Sequence, residues 1–411
     1  MKGSYWPWIA GLLFIIGLLM HQVPLLLVAL LLLLVRGITI LWERYSLRRI
    51  EFRRQLSTKR AFFGEEVVLE LDIANRKPLP LPWLEIEEEM PEDVTLLTGT
   101  ASQSHKVSRV YLTNLFSLGW YHRVRRRYRL LCEQRGYFTF GPTQIRSGDL
   151  FGFSRQQMDI ETEDHLIVYP RVLPVVQRGI PSKQPQGNIR IKRFIFQDPV
   201  LTRGVREYQF GDSLKRIHWK TSARLGRLQT KVFEPTTSVD MGIFLDVRTV
   251  PFPGWGSVTQ LQELGVIAAA SIANHAMKSG YRVGLYVNQL RKFTGERIRI
   301  APSQHSDQFV HILEALAQVH SSVEITPMHR FVTLESRNLP WGSTVLVITA
   351  VPSEALLATL LRLKRAGRSI ALVKIGGTQT LSSRDGLRTY YVTDDVSWRD
   401  LDTITLQGIR P

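Results

Sequence analysis

The feature that most constrains this chain is an apolar run close to its N-terminus. Residues 8–35 contain no Asp, Glu, Lys or Arg, and the run divides into two pieces, 9–20 and 25–35. A helix that spans a bilayer needs about 20 apolar residues, so each piece is short for a span. Pro24 lies between them, where it suits a turn or the first turn of a second helix. The pattern predicts a transmembrane helical hairpin over residues 1–45, with one long kinked span as the alternative.

The charges that flank this run predict its orientation. Arg36, Arg44, Arg48 and Arg49 follow it, whereas only Lys2 and the amino terminus precede it. Because Lys and Arg beside a membrane segment are retained in the cytoplasm, both the hairpin and the single span place the remaining chain there. A cleaved signal peptide is disfavoured, since its apolar region is usually only about 7–15 residues long.

Net charge and cysteine content narrow the class of protein further. The formal net charge is +17, which suits either nucleic acid or a membrane with anionic lipids. The apolar run favours the membrane, and we predict no nucleic-acid partner. Cys132 is the single cysteine, so no intramolecular disulfide framework is possible. The 411 residues allow two or three domains at about 150 residues each.

Residues 46–175 carry the pattern of short β-strands. Val67, Leu69 and Leu71 alternate with more polar neighbours, which is typical of a half-buried strand. Three prolines at 78, 80 and 82 exclude helix and central strand between this strand and the next. Further strands are predicted at 110–118, 120–131, 137–140 and 165–169. Short strands at this spacing predict a β-sandwich-like domain.

One of these strands contains the basic run 123–129, which reads Arg-Val-Arg-Arg-Arg-Tyr-Arg. Alternate positions of a strand share a face, so Arg123, Arg125, Arg127 and Arg129 are predicted to lie on one solvated side. A face that lies against anionic lipid headgroups, or one that binds nucleic acid, is the alternative.

Residues 176–237 form a segment that joins this domain to the next, and its charged part carries the candidate site. Asp212 is a good N-cap for a short helix over 213–219, whose buried side would include Ile217 with Trp219 nearby, and Gly226 suits the C′ position of the next element. An ion-paired domain joint and a partner-binding site need the same residue types. The candidates are Arg206, Glu207, Asp212, Arg216, His218, Trp219, Lys220 and Arg224.

His218 has an unperturbed pKa near neutral pH, which leaves an acid–base role open. A lone His without an identifiable partner is more often structural, so we predict no catalytic residue. The alternative is a ligand-binding or enzymatic protein that uses the 206–224 cluster towards an anionic substrate. A pocket in which His218 reaches Glu207 or Asp212 would favour that alternative.

The same segment resembles the signature of a bacterial family, catalogued as "domain of unknown function 58". The residues that carry the resemblance are Arg206-Glu207-Tyr208, Gly211-Asp212, Arg216-Ile217, Trp219-Lys220 and Ser222-Ala223-Arg224. Three further blocks agree, 135–142, 148–152 and 168–170, although Leu150 stands where proline is usual. The hydrophobic anchor also agrees with this family. From the apolar run and its flanking charges we predict an inner-membrane protein with cytoplasmic domains, and we predict no cofactor and a non-enzymatic interaction or scaffold role. The resemblance implies work beside a MoxR-type AAA+ ATPase, in complex assembly or cell-envelope processes, and homo-oligomers stay open.

Residues 238–411 alternate between strand and helix patterns, which predicts a doubly wound, largely parallel α/β domain. Strands are predicted at 241–247, 282–287, 344–349 and 369–375, and helices at 258–278, 307–319 and 353–366.

This arrangement resembles a von Willebrand factor type A domain, which implies a divalent cation held by an Asp-x-Ser-x-Ser motif after the first strand. Here Asp246 is followed by Arg248 and Val250 at the two serine positions, and Ala350 stands near the second expected Asp. We therefore predict no functional metal site. Asp246 would be a remnant whose counter-charge comes from Arg248.

Overall fold

The computed structural model is a mixed α+β structure with two compact units, Met1–Tyr169 and Pro170–Pro411. The described residues are 6–408 without 107, 150–154, 179–201, 210–216, 234–239, 252–255, 292–293, 322–324, 341 and 378–386.

Two apolar helices, α1 (Trp6–Leu19) and α2 (Val23–Tyr45), begin the first unit and pack against each other. The backbone of Gly17 lies so close to α2 that an added Cβ would be 3.2 Å from Leu26 Cγ. Small residues of this kind allow helices to approach closely. By length and composition α2 is able to cross a membrane, whereas α1 is shorter. The apolar N-terminal helix predicted from sequence is therefore confirmed, and α2 continues about ten residues beyond the predicted piece.

The remainder of the first unit consists of strands. They are β1 (Ile50–Leu56), β2 (Arg60–Phe62), β3 (Glu66–Asn75), β4 (Leu81–Pro91), β5 (Thr95–Leu96), β6 (Ala101–Gln103), β7 (Arg109–Leu118), β8 (Arg123–Leu131), β9 (Gly136–Phe140), β10 (Thr143–Gly148), β11 (Arg155–Ile160) and β12 (Asp164–Tyr169). Their orders within the sheets are β1-β3-β8-β5, β11-β10-β4-β7-β6 and β2-β12-β9.

The strands enclose one apolar core that both larger sheets share. Leu69 and Leu71 of β3 meet Leu84 and Ile86 of β4 in the same buried cluster. The alternation predicted for β3 is confirmed. The exclusion of central strand around the prolines was wrong at Pro82, which lies inside the central strand β4. The register of β4 against β7 shifts between residues 81 and 84, so the proline occupies an irregularity in the ladder.

The basic run on β8 is a solvated face, as predicted. Its arginines pair across the ladder with acidic residues of β3, for example Arg127 with Glu70 at 2.7 Å and Arg125 with Asp72 at 3.4 Å. Tyr128, which lies between Arg127 and Arg129 in the sequence, points into the core. The positive charge of this strand is therefore largely matched by its neighbour.

Arg54 lies in a buried polar network of the first unit. Its guanidinium pairs with the Glu88 carboxylate, and its Nε donates to Asp164 Oδ2 at 2.8 Å. The backbone of Gly141 passes so close that an added Cβ would lie 2.8 Å from Arg54 Nη1, and the φ of this glycine is +97°. Both features favour glycine at this position of the 135–142 block.

Cys132 is fully buried in this unit, and burial raises the pKa of its thiol to about 11. Because the thiolate is the nucleophile, we expect the folded protein at pH 7.5 to resist a maleimide reagent. Reaction should occur only when the β-rich unit unfolds, so the labelled fraction should follow the unfolding transition in urea. Rapid labelling of the native protein, measured by mass spectrometry, would contradict this burial.

The second unit alternates strands and helices. They are β13 (Val175–Arg178), β14 (Thr202–Glu207), α3 (Trp219–Leu225), β15 (Gln229–Phe233), β16 (Asp240–Leu245), α4 (Thr259–Lys278), β17 (Arg282–Leu290), β18 (Arg297–Ser303), α5 (Gln308–Ala317), α6 (Met328–Glu335), β19 (Thr344–Thr349), α7 (Glu354–Arg365), β20 (Ser369–Ile375), β21 (Arg388–Val392) and β22 (Ile404–Gly408).

Most of these strands form one sheet in the order β13-β22-β21-β20-β19-β16-β17-β18. Its centre, from β21 through β16 to β17, is parallel. β18 pairs antiparallel with β17, and β22 pairs antiparallel with β21 but parallel with β13. The predicted alternation of strands and helices is thus confirmed. The carboxyl ends of β16, β17 and β19 meet at one edge of the sheet, where ligands bind in folds of this class.

Candidate functional site

The candidate segment is built on a two-stranded ribbon. β14 pairs antiparallel with β15, so that Arg206 lies opposite Thr230 and Glu207 opposite Gln229. On the other side of β15, Ile217 forms a bridge with Thr230, and the His218 backbone N–H donates to Gln229 O at 2.7 Å. β15 is therefore the central strand of this segment.

Helix α3 closes the segment, and His218 is its N-cap. His218 Nδ1 accepts from the Thr221 backbone N–H at 3.1 Å. Ser222 Oγ donates to His218 O at 3.0 Å and accepts from the Gln229 N–H at 2.8 Å, which fastens α3 to β15. Gly226, with φ +65°, ends the helix in the left-handed conformation, as predicted.

The helix predicted over 213–219 was wrong in its described part. Residues 210–216 lie outside the described residues, and with them the proposed cap Asp212 and Arg216. Ile217 belongs to the bridge with β15, and α3 begins only at Trp219. The imidazole of His218 supplies the N-cap acceptor of α3.

Those charged candidates that the structure describes do not meet in one pocket. Glu207 pairs with Arg227 at 3.5 Å in an exposed position, and Arg206 Nη1 donates to Glu207 O at 3.1 Å. The described contacts of His218 lead to residues of α3 and β15, and those of Glu207 lead to arginines. His218 is thus engaged in local structure.

The outer surface of α3 combines apolar and basic side chains. Trp219 is 65% exposed, and Leu225 and Leu228 are also exposed. The basic side chains of Lys220 and Arg224 are exposed on the same helix. The sequence analysis had placed Trp219 beside the buried side of a helix; only Ile217 is buried. We name this surface, formed by Trp219, Lys220, Arg224, Leu225 and Leu228, the α3 surface.

A second set of polar residues lies where β16, β17 and β19 end. The buried carboxylate of Asp246 accepts from Asn288 Nδ2 at 2.7 Å, from Thr349 Oγ1 at 2.9 Å and from the Arg248 backbone N–H at 3.1 Å. Burial raises the pKa of Asp246, and these donors oppose that change. Arg248 contacts the carboxylate through its backbone N–H, and the charge of its side chain also lowers the pKa of Asp246.

Asn288 makes hydrogen bonds to three other residues at this edge of the sheet. Its Oδ1 accepts from the Val247 N–H at 3.0 Å, and its Nδ2 donates to Thr326 O at 3.1 Å as well as to Asp246. The sequence analysis missed Asn288. Asn288 lies near the end of the buried strand β17, and the neighbouring strand β16 ends just before Asp246. A polar residue at such a position was the signal that could have identified it.

Comparison with known proteins finds a family model that matches part of the chain. Residues 204–349 match the family model "Protein of unknown function DUF58". The matched range includes the α3 surface, Asp246 and Asn288. The uncharacterized protein YeaD of Bacillus subtilis (strain 168) is 27% identical over 278 residues. That alignment covers 67% of this chain and 64% of YeaD, so the chain spans less than two thirds of this relative's length.

Two solved structures are similar to part of this chain, with low TM-scores. The CARDB domain of a Pyrococcus furiosus protein is 9% identical with a TM-score of 0.20, and covers 29% of this chain and 89% of its own. A cohesin module from a Clostridium perfringens family 33 glycoside hydrolase is 13% identical with a TM-score of 0.21. It covers 29% of this chain and 94% of its own.

The DUF58-matching segment leads to a prediction about divalent cations. Among the described residues, no group of three or more His, Cys, Asp or Glu could hold a metal ion, and donors already occupy the Asp246 carboxylate. We expect Mg²⁺ at about ten millimolar, a hard cation that needs several oxygen ligands, to leave thermal unfolding unchanged. A saturable rise in Tm, absent in Asp246→Asn, would contradict this, since a ligand that binds the native state stabilises it.

Proposed function

We propose that this chain is a membrane-anchored, non-enzymatic interaction protein of the DUF58 family, and that its α3 surface binds a protein partner. The observation that carries the proposal is the exposure of three large apolar side chains, Trp219 and Leu225 on the capped helix α3 and Leu228 shortly after it. Tryptophan contributes strongly to protein interfaces, because it buries a large area with few rotatable bonds. The hydrogen bonds of His218 and Ser222 hold the helix in place before binding, which lowers the entropy lost on association.

The charge and apolar area of the α3 surface support a partner with complementary chemistry. Lys220 and Arg224 give this surface positive charge around its apolar side chains. Complementary charge selects a partner face that is acidic and apolar. The resemblance to DUF58 proteins implies that this partner is a MoxR-type AAA+ ATPase. The von Willebrand factor type A-like domain would then act as a rigid support, with the Asp246 network in place of a cation.

The two N-terminal helices serve as the anchor in this proposal. The leucines of α2 are more than half exposed at positions 27, 30, 31 and 34, as expected for side chains that face lipid. Thr39 Oγ1 donates to Asp149 Oδ2 at 3.1 Å, and Trp42 Nε1 donates to Pro80 O at 3.2 Å. The last turns of α2 are thus also packed on the β-rich domain.

The length of α2 that precedes its first charged residue, Arg36, supports the hairpin. From Val23 to Arg36 the helix rises about 20 Å, at roughly 1.5 Å per residue. The hydrocarbon core is about 30 Å thick, so the part of α2 that precedes its first charged residue is short for a full span. A hairpin of α1 and α2 that enters from the cytoplasmic side accounts for both short helices, and the arginines that follow agree with this side.

The proposal is tested by binding of the purified ATPase to the full-length chain in detergent. Trp219→Ala should weaken binding about 30-fold or more, the loss typical of an interface hot spot of about 2 kcal/mol. Leu334→Ala is the matched control, because Leu334 is an exposed apolar side chain on α6 of the same unit. It should bind as wild type does.

Calorimetry or surface plasmon resonance gives the dissociation constants, and circular dichroism verifies that both variants are folded. Absence of binding by the folded wild type would contradict the choice of partner. Equal binding by wild type and Trp219→Ala would contradict the choice of surface.

A further inference from the structure

The turn between β7 and β8 exposes two adjacent aromatic side chains. Trp120 is 70% exposed and Tyr121 is 68% exposed. Tyr121 has φ +49°, so the backbone of this turn is held in a conformation that side chains of its kind rarely adopt. Neither ring contributes to the core of the β-rich unit. Exposure of two large neighbouring aromatics indicates a contact surface.

Hydrogen bonds place this turn close to the C-terminal end of α2. Lys77 Nζ donates to Arg48 O at 2.9 Å and also to Ser46 O, directly after the last turn of α2. The backbone carbonyl of Lys77 accepts from the Tyr121 N–H at 3.3 Å. Lys77 therefore contacts both the residues that directly follow α2 and the turn that carries Trp120 and Tyr121. We call residues 119–122 the aromatic turn.

Asn75 provides a second link of the same kind. Its Nδ2 donates to Gly119 O at 2.9 Å, in the aromatic turn, and to Leu79 O at 2.9 Å. The neighbouring Pro80 carbonyl accepts from Trp42 Nε1 of α2. The aromatic turn and the end of α2 are thus bound to the same short loop, residues 76–80, and lie at the same end of the β-rich unit.

The charges at this end match a lipid surface. Arg44 lies in the last turn of α2, and Arg48 and Arg49 follow the helix on exposed positions. Basic residues close to a membrane segment attract anionic lipid headgroups. Tryptophan and tyrosine favour the same layer, because their rings are apolar and carry a polar atom.

We propose that Trp120 and Tyr121 insert into the headgroup layer of an anionic bilayer, as a second membrane contact beside the helical anchor. The inference rests on the proposed membrane anchor, which determines the side of the unit that faces lipid. Two contacts on one rigid unit would fix its orientation on the membrane, since rotation about α2 alone would withdraw the aromatic turn from the headgroups.

The test places a fluorescent probe beside the aromatic pair in the full-length chain. His122→Cys carries the environment-sensitive dye NBD, and buried Cys132 should stay unlabelled. Gln103→Cys is the control, because residue 103 is exposed on β6 near the opposite end of β7. Eight ladder positions separate its partner Val110 from Leu118, which is about 27 Å at roughly 3.4 Å per residue.

The labelled proteins are reconstituted into vesicles of phosphatidylethanolamine and phosphatidylglycerol that contain a lipid spin-labelled near the headgroup. We expect the spin label to quench the probe at 122 at least twofold more than the probe at 103. Trp120→Ser in the His122→Cys background should abolish the difference, because the insertion depends on this ring.

Flotation of the same vesicles separates the two proposals. Protein that fails to float would contradict the membrane anchor itself. Protein that floats, but whose probe at 122 is quenched no more than that at 103, would overturn the insertion of the aromatic turn alone. A blue shift at 122 without quenching by the lipid label would indicate a second copy of the chain on this surface and would equally overturn it.

Discussion

Arg54→Met is expected to destabilise the β-rich unit by about 3–5 kcal/mol, the cost of removing one partner of a buried ion pair. The side chain of Arg54 is 2% exposed and that of Glu88 is fully buried. Without the guanidinium, the Glu88 carboxylate would keep only the Thr143 hydroxyl, which donates to it at 2.5 Å. The loss is measured as the free energy of unfolding in urea, reported by the labelling of Cys132.

The pH dependence of this variant distinguishes a buried charge from a simple loss of packing. Burial already raises the pKa of Glu88, and Arg54 opposes that change. In Arg54→Met the folded-state pKa should rise further above its unfolded value. The folded state then binds more protons, so stability falls as the pH rises through neutrality, and the variant recovers part of its loss near pH 5.

Two controls accompany Arg54→Met. Arg127→Met removes an exposed arginine of β8 whose pair with Glu70 lies at the surface, and it should cost less than about 1 kcal/mol. The double variant Arg54→Met, Glu88→Met replaces both charges by apolar side chains, and it should recover most of the loss. A loss for Arg54→Met that matched Arg127→Met would contradict the buried network.

Asn288→Ala is expected to destabilise the α/β unit by about 3 kcal/mol or more. It removes a donor from the Asp246 carboxylate, the acceptor of the Val247 N–H and a donor to Thr326 O at once. A buried polar group without a partner costs about 1–3 kcal/mol, and more if it is charged. Chemical unfolding followed by circular dichroism measures the change.

Asn338→Ala is the matched control for this variant. Asn338 is exposed, with one 3.3 Å hydrogen bond to Glu335, and its removal should change stability by less than about 0.5 kcal/mol. Asn288→Asp retains the shape but brings a second carboxyl beside Asp246, and its loss should diminish as the pH falls. An Asn288→Ala variant as stable as Asn338→Ala would contradict the assigned network.

Elements with a clear period were predictable from sequence. The alternation in β3 and the apolar runs of β17, β19 and β20 identified those strands, because burial on one or both faces imposes the pattern. The position of Pro82 in a central strand was not predictable, because a local shift in the register of β4 depends on its partner β7. The strand β18 was likewise missed, since its alternation is limited to Ile298 and Ile300 and is followed by Pro302.

The candidate site was predictable in composition but not in geometry. The residues around 206–224 identified the segment, yet the start of α3 depended on the contact of His218 with Gln229, which is eleven residues further along the chain. The exposure of Trp219 follows from this shift, because the helix begins where the sequence predicted that one would end. Asn288 was missed because a single asparagine carries no periodic signal.

The measurement that tests the central claim most directly is site-specific photo-crosslinking in intact cells. A photoreactive phenylalanine replaces Trp219 in one variant of the full-length protein and Leu334 in a second, and mass spectrometry identifies the products. We expect a MoxR-type AAA+ ATPase to be crosslinked from position 219 and not from position 334. Crosslinks to this ATPase that were equal at both positions, or absent at 219 in cells that contain it, would contradict the α3 surface as its binding site.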